Sequence, residues 1–189
     1  MDEKFWIGFS NVSTIELKTF PQNAIQFIQK SDFIRTFLVF SHQQYGPTAY
    51  LVDDNNFLRR PLDEVTNESE CIFYEVSTCR ANRLLDKCEA AINHLSLAKP
   101  IKGWVETNIN RLVNRLHKGE MPVSFVQPYH IFNCLLSAEY VVKLCREANI
   151  EVFPKWLTPP MWPSLIKAFL DNDPASFKPR KIIRSVVSL

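Results

Sequence analysis

The stretch of sequence that decides the fold is a dense apolar run in the first quarter of the chain. Residues 33–40 read Phe-Ile-Arg-Thr-Phe-Leu-Val-Phe, in which only Arg35 and Thr36 are polar. A run this short, rich in aromatic and β-branched residues, predicts a buried strand rather than a helix. We therefore expect a β-sheet in the first half of the chain, with residues 33–40 as one of its buried strands.

Shorter segments of the same kind surround this run and predict the rest of the sheet. Strands are expected at residues 4–9, 12–18, 48–52 and 71–76. A turn is expected at residues 53–56, Asp-Asp-Asn-Asn, because short Asx side chains bond their own backbone. One helix is predicted to begin at Pro21, with Ile25 and Ile28 on its apolar face. The acidic stretch 63–70 is predicted to be a loop.

The second half of the chain has the apolar spacing that is typical of amphipathic helices. Helices are predicted from Ser77 or Thr78 to about residue 95, over 104–118, over 128–148, and from Pro163 onward. Gly119 and Asn149 follow two of these helices, where a left-handed residue often ends a helix. Residues 150–153 predict a short strand, and the tail from Asp173 is predicted to be extended.

Strands followed by helices predict an α+β fold. In this interpretation a strand-rich half, about residues 1–76, packs with a helical half, about residues 78–172. The corresponding division is a strand-rich subdomain at 1–76 and a helical subdomain at 77–189 with an extended basic tail. A single compact domain is the alternative. The net charge is −3 over residues 61–100 and +5 over 101–189, so the helical half is the more basic.

The composition excludes the commonest nucleotide-binding sites. The 189 residues include only four glycines, and 22 Lys and Arg nearly balance 20 Asp and Glu. Phosphate-binding loops place several glycines at fixed spacing, and Gly8, Gly46, Gly103 and Gly119 are too far apart to form one. We therefore expect no Rossmann or P-loop site and no nucleotide, and we predict neither a cofactor nor a metal.

The cysteines and the apolar segments indicate a reducing compartment. The five cysteines form no C-x-x-C pair, which disfavours zinc ribbons and thioredoxin-type motifs. The first residues are charged and lack the apolar core of a secretion signal. The longest uncharged window, 121–138, is interrupted by polar residues and proline, so no membrane span is expected. A cytoplasmic location is the prediction.

A segment rich in tryptophan and proline is the leading candidate for a binding site. Residues 153–163 read Phe-Pro-Lys-Trp-Leu-Thr-Pro-Pro-Met-Trp-Pro. Tryptophan dominates binding hot spots, and prolines lower the conformational entropy that binding must remove. The predicted contacts with a partner protein come from Trp156, Pro159, Pro160 and Trp162, and from Leu189 in the tail. In the alternative interpretation, both tryptophans pack in the core.

Basic residues on one helix face support a second hypothesis, binding of nucleic acid and of RNA in particular. Asn108, Arg111, Arg115 and Lys118 are spaced to share a face of the predicted helix 104–118, and Trp104 lies at its start. Arg180, Lys181 and Arg184 form a second basic group. Cations neutralise phosphates and aromatic rings stack on bases. An ordinary solvated helix face has the same composition, so this hypothesis stands second.

A cysteine-dependent enzyme is the third hypothesis. Cys79 is predicted near a helix N-terminus, where the helix dipole favours a thiolate. Cys134 lies four residues after His130, so the two share a helix face. Both cysteines also fit simple packing roles. The sequence therefore favours an intracellular accessory or regulatory protein that is not an enzyme, with a composition that also suits a virus or a mobile element.

Overall fold

An antiparallel sheet of six strands organises the part of the chain that the computed structural model describes, residues 3–11, 33–42, 46–53, 56–92, 128–157, 161–177 and 179–182. Its strands and the described helices are, in chain order, β1 (Glu3–Asn11), β2 (Phe33–His42), β3 (Gly46–Asp53), β4 (Asn56–Pro61), α1 (Leu62–Glu68), β5 (Cys71–Thr78), α2 (Ala81–Ala91), α3 (Pro128–Glu147), α4 (Pro163–Asp171) and β6 (Pro179–Ile182). The strand order is β4-β3-β2-β1-β5-β6, and every neighbouring pair is antiparallel. The predicted α+β class is confirmed.

The predicted strand at residues 33–40 is β2, which lies inside the sheet between β1 and β3. Side chains alternate between the two faces of a strand, and here both faces are buried. Leu38 and Phe40 enter the core beneath the helices, whereas Phe37 and Val39 enter a second core on the opposite face. Burial on both faces explains why this segment has no polar alternation.

The larger core lies between the sheet and three helices. Strand residues such as Phe5, Ile7 and Tyr50 pack there against α2, α3 and α4. The helices contribute the buried side chains Leu84, Cys88, Val141, Val142, Cys145, Ile166 and Leu170. The predicted helices at 128–148 and from Pro163 are confirmed, and each presents its apolar face to this core.

The smaller core lies on the other face of the sheet and explains Gly8. Phe37 and Phe73 are the register partners of Gly8 on the two flanking strands. Their rings meet edge to face, with centroids 5.9 Å apart. A methyl group at Gly8 would lie 2.5 Å from Cζ of Phe37, closer than two carbon atoms can approach. A larger residue at position 8 would therefore force the ring of Phe37, which lies against the backbone of β1, to move.

Two elements of the first half differ from the sequence prediction. Residues 63–70, predicted to be a loop, lie mostly in α1, so that prediction was wrong. Leu62 and Val65 turn into the smaller core, and that tertiary contact stabilises a helix too short to form alone. Strand β4 was also missed, because Arg59 and Arg60 obscure its alternation on the exposed side.

Three differences concern the second half. Ser77 and Thr78, predicted helix caps, belong to β5, and α2 begins at Ala81 with Arg80 at its N-cap. Residues 150–153, predicted to be a strand, form turns instead. The predicted extended tail contains β6, which pairs with Cys71–Tyr74 of β5 through residues 179–182. The predicted strand 12–18 and the helices at Pro21 and 104–118 lie outside the described residues.

Polar contacts fix the helices on the sheet. The Tyr74 hydroxyl in β5 donates to the Asp171 carboxylate at the end of α4. The Tyr50 hydroxyl in β3 donates to Glu89 of α2, which also forms an ion pair with Arg59 at 3.1 Å. Burial and the neighbouring carboxylates raise the pKa of both tyrosines, so the hydroxyls remain donors at neutral pH. These hydrogen bonds therefore fix the positions of α2 and α4 along the strands.

Candidate protein-binding site

The candidate site begins where α3 ends. Asn149 has φ 59°, the left-handed conformation predicted for the end of this helix. The backbone N–H of Ile150 then donates to the carbonyl oxygen of Cys145 at 2.8 Å. Ile150, Val152 and Phe153 are buried. The chain therefore leaves α3 in a fixed direction and stays attached to the core as far as Phe153.

A turn over residues 154–157 follows, and Arg146 of α3 holds it. Nη2 of Arg146 donates to the carbonyl oxygen of Pro154 at 2.8 Å and to that of Leu157 at 2.6 Å. The backbone N–H of Leu157 also donates to the carbonyl oxygen of Pro154 at 3.1 Å. Two charge-assisted hydrogen bonds from a helix thus fix both ends of a four-residue turn.

Trp156 projects from this turn into solvent. Its side chain is 72% exposed, although its neighbour Leu157 is buried. The indole contacts the ring of Phe169 on α4 edge to face, with centroids 6.5 Å apart. This places the exposed indole in a defined position instead of leaving it free to rotate.

Leu165 extends the apolar area along α4. It is 42% exposed, and it and Trp156 are the large hydrophobic residues that stand exposed within the described residues. Leu165 and Phe169 are four residues apart, and such residues are neighbours on one helix face. We refer to Trp156, Leu165 and Phe169 as the Trp156 surface.

The other predicted contact residues do not join this surface as a group. Trp162 is half-buried at the N-cap of α4, where its carbonyl oxygen accepts from the N–H groups of Leu165 and Ile166. Trp162 therefore belongs to the start of α4. The alternative interpretation, in which the tryptophans pack in the core, fits Trp162 better than it fits Trp156. Pro159, Pro160 and Leu189 lie outside the described residues, so their role stays a prediction.

Glu139 is an unusual buried group that the sequence did not indicate. Glu139, on α3, is 8% exposed, and both of its carboxylate oxygens are buried without a hydrogen-bond partner of normal geometry. Burial raises the pKa of Glu139 to about 7, and the backbone N–H of Met161, which is directed at the carboxylate, offsets part of the rise. Met161 itself is buried immediately before α4.

The nucleic-acid hypothesis falls almost entirely outside the described residues. Trp104, Asn108, Arg111, Arg115, Lys118 and Arg184 all lie there. Arg180 and Lys181 lie in β6 at the edge of the sheet, but only their backbone is described. The predicted basic helix face therefore stays a prediction.

The cysteines of the core have the environment of packing residues. Cys71, Cys88 and Cys145 are buried free thiols. Burial raises the pKa of Cys71 and of Cys145 to about 12, and it raises the pKa of Cys88 strongly, which disfavours the thiolate that catalysis needs. Cys79 is exposed between β5 and α2, and only the backbone of Cys134 is described. None of the side chains that the structure describes belongs to a histidine, so the pairing of a cysteine with a histidine stays a prediction.

The described residues contain neither a cluster of metal ligands nor a helix that could span a membrane. Among them, no three His, Cys, Asp or Glu side chains converge in a way that would bind a metal ion. None of the described helices has both the length and the apolar character to cross a bilayer.

No family model, no curated protein and no solved structure matches the chain.

Sequence reasoning found Trp156 but missed the residues that make it a site. In the sequence, Arg146 is one of several cations on a predicted helix. The neighbouring residues do not indicate that it donates to carbonyl groups eight and eleven residues later. Leu165 and Phe169 lie four residues apart on one face of the helix predicted from Pro163 onward. A four-residue spacing does not show whether another helix or strand of the fold covers that face.

Proposed function

We propose that the chain acts by binding a partner protein through the Trp156 surface, in an accessory or regulatory role. The observation that carries the proposal is the 72% exposed indole of Trp156 on a turn that Arg146 fixes at both ends. Exposing this ring to water is unfavourable, and soluble proteins place large exposed apolar side chains together mainly where they bind something.

The fixed turn supports binding because it lowers the entropy cost. Immobilising a flexible side chain at an interface costs roughly 0.5–1.5 kcal/mol, and a residue already held in position avoids most of this loss. The ring of Trp156 contacts Phe169, and Arg146 donates to the carbonyl groups of Pro154 and Leu157 on either side of it in the turn. Tryptophan is also the residue most enriched among interface hot spots.

The surroundings of Trp156 suggest the chemistry of the partner. The side chain of Lys155, next to it in the turn, is exposed, and Leu165 and Phe169 add apolar area on α4. A matching protein segment therefore presents an apolar side chain to the indole and a carboxylate to Lys155. We place the acidic group at the rim because rim charges chiefly set specificity and association rate.

A displayed peptide library tests this proposal. Random twelve-residue peptides are selected on the full chain, and the enriched peptides are then measured by fluorescence polarisation against Trp156→Ala and Leu165→Ala. We expect Trp156→Ala to weaken binding at least tenfold, because truncating a hot-spot residue costs about 2 kcal/mol or more. Trp156→Phe should retain most of the affinity.

Lys87→Ala is the matched control, since Lys87 is exposed on α2 rather than on the Trp156 surface. Circular dichroism of each variant establishes that the fold is intact. The proposal fails if no peptide is enriched, or if the enriched peptides bind Trp156→Ala and Leu165→Ala as tightly as the unmodified chain. A dimer that dissociates on Trp156→Ala would place a second copy on the surface and also contradict a separate partner.

A further inference from the structure

A cleft of about 570 Å³ lies away from Trp156, at the end of β5. Three segments line it: residues 75–78 of β5, residues 150–152 after α3, and residues 175–177 after α4. This volume lies in the range of sites that bind small molecules or peptide segments. The mixed lining includes apolar Val76, Val152 and Phe177 together with hydroxyl groups of Ser77 and Thr78.

The cleft runs along the edge of a strand. Successive side chains of a strand point to opposite faces of its sheet. The cleft is nevertheless lined by four consecutive residues of β5, 75–78. A cavity on one face alone would contact only alternate residues, so this one contacts the edge, where backbone N–H and C=O groups point outward.

Among the described residues, strand pairing on this edge extends only as far as the cleft. On its inner side β5 pairs with β1 as far as Thr78. On its outer side, the described residues of β6 pair with Cys71–Tyr74, and Pro179 stands opposite Tyr74. Proline has no N–H to donate to a ladder. Beyond this point the described residues place no strand beside residues 76–78.

We propose that residues 76–78 of β5 bind an extended peptide segment of a partner protein, which adds to the sheet as a further strand in the cleft. Backbone hydrogen bonds to a strand edge supply affinity in this mode, and pockets beside the edge select side chains. Three strand residues span about 10 Å, so the contact takes three to five residues of peptide. The far edge of the sheet, β4, carries Arg59 and Arg60 and ends at Pro61, features that disfavour such pairing.

The charge of the cleft indicates the side chains that the peptide carries. Glu75 and Glu151 are acidic, and no described lining residue is cationic. Glu151 is exposed at the rim, and Glu75 already forms an ion pair with Lys4 at 2.7 Å. We therefore expect a peptide in which a Lys or Arg reaches Glu151 while its backbone pairs with β5.

Labelled hexapeptides test the proposal directly. The probe is fluorescein-labelled Val-Lys-Val-Lys-Val-Lys, and its two comparisons are Val-Glu-Val-Glu-Val-Glu and versions of the lysine peptide with alternate amides N-methylated. We expect saturable binding of the lysine peptide and at least tenfold weaker binding of the glutamate peptide. N-methylation on one alternate set of residues should also weaken binding at least tenfold, because it removes the donors to the strand edge.

Two variants locate the binding. Ala175 is exposed and lines the cleft, so Ala175→Trp should fill the cleft and weaken binding at least tenfold. Ala90→Trp, the same change at an exposed position of α2, should have no effect. Hydrogen exchange of residues 76–78 should slow when the lysine peptide is bound to the unmodified chain.

The proposal is overturned if the lysine peptide does not bind up to millimolar concentration, or if both N-methylated peptides bind as well as the parent. It is equally overturned if Ala175→Trp leaves the affinity unchanged. Trp156→Ala should not alter binding of the lysine peptide, because the two sites are built from different residues. The failure of one proposal therefore leaves the other standing.

Discussion

The guanidinium of Arg146 donates from Nη2 to the carbonyl oxygen of Leu157 over 2.6 Å, and thereby connects α3 to the turn that carries Trp156. The same nitrogen donates to Pro154 at 2.8 Å. These bonds are formed by a half-buried cation, and hydrogen bonds to charged groups contribute about 1.5–3 kcal/mol each in favourable cases. The position of the exposed indole therefore depends on a residue ten positions earlier in the sequence.

Replacing Arg146 with Met should loosen this turn. Methionine retains much of the aliphatic length but donates no hydrogen bond, so we expect the free energy of unfolding to fall by about 1–3 kcal/mol. The Leu157 amide, which donates to Pro154, should exchange faster with deuterium. Arg146→Lys serves as the control and should lose less. Unchanged exchange at Leu157 in the methionine variant would show that the turn is stable without Arg146.

Trp156→Phe should change the fluorescence of the chain while leaving its stability nearly unchanged. Among the tryptophans that the structure describes, Trp156 is highly exposed, Trp162 is half-buried and Trp6 is buried, so of these three acrylamide should quench Trp156 most easily. The variant should lose the red-shifted, readily quenched emission, and its free energy of unfolding should change by less than about 1 kcal/mol. Trp6→Phe is the comparison and should leave that emission in place. Identical quenching before and after Trp156→Phe would contradict the exposed position.

Gly8→Ala should destabilise the sheet because the new methyl group would overlap the ring of Phe37. Overpacking of this kind costs about 1–3 kcal/mol. Adding Phe37→Leu should recover part of the loss, and urea denaturation of the single and double variants measures that coupling. Gly46→Ala is an informative control, because Gly46 has φ 68° and no neighbouring atom within 4 Å. Its cost should be independent of Phe37, and equal coupling at both glycines would refute the steric explanation.

Glu139 should make the stability of the chain depend on pH between about 4.5 and 7. Burial raises the pKa of Glu139 from 4.5 to about 7, so the folded chain binds a proton over a range in which the unfolded chain has released it. The contribution of Glu139 to stability is therefore fully present below pH 4.5 and is lost as the pH rises to about 7. Burial, which the N–H of Met161 offsets only in part, makes the ionised folded form unfavourable by up to roughly 3 kcal/mol.

Urea denaturation of the unmodified chain and of Glu139→Gln, measured from pH 4 to pH 8, tests this expectation. The glutamine side chain does not titrate, so its stability should decline less over the same range. The difference between the two chains should grow as the pH rises and then level off above pH 7. Parallel curves would show that the Glu139 carboxylate titrates alike in the folded and unfolded chains.

The sequence predicted those parts of the fold that depend on local pattern. The strand at 33–40 and the helix at 128–148 were predictable because their apolar content exceeds what a surface segment carries. The helix over residues 62–68 was not, since Leu62 and Val65 gain their burial from the sheet rather than from each other. Residues 179–182 likewise form a strand because the edge of β5 is there to pair with them.

In the candidate site, too, the local sequence predicted one part, whereas contacts between distant residues determine the rest. Trp156 was found because tryptophan and proline in one segment are a compositional signal, visible without any fold. Its fixed position depends on Arg146, and its extension over α4 depends on which face of that helix remains uncovered. Neither property follows from spacing along the chain, because both arise from how separate helices pack.

The pairing of β5 with β6 has a consequence for how the chain folds during synthesis. β5 ends at Thr78, but its outer partner is residues 179–182, and the Tyr74 hydroxyl finds its acceptor only at Asp171. A nascent chain that has released residues 1–150 can pair β1, β2, β3 and β5, yet it still lacks α4 and the buried side chains of Ile166 and Leu170. Contacts over such long separations close slowly. The central strands therefore remain with one face incompletely covered until residues 163–182 leave the ribosome, and this interval is when the chain is most exposed to aggregation or to capture by a chaperone.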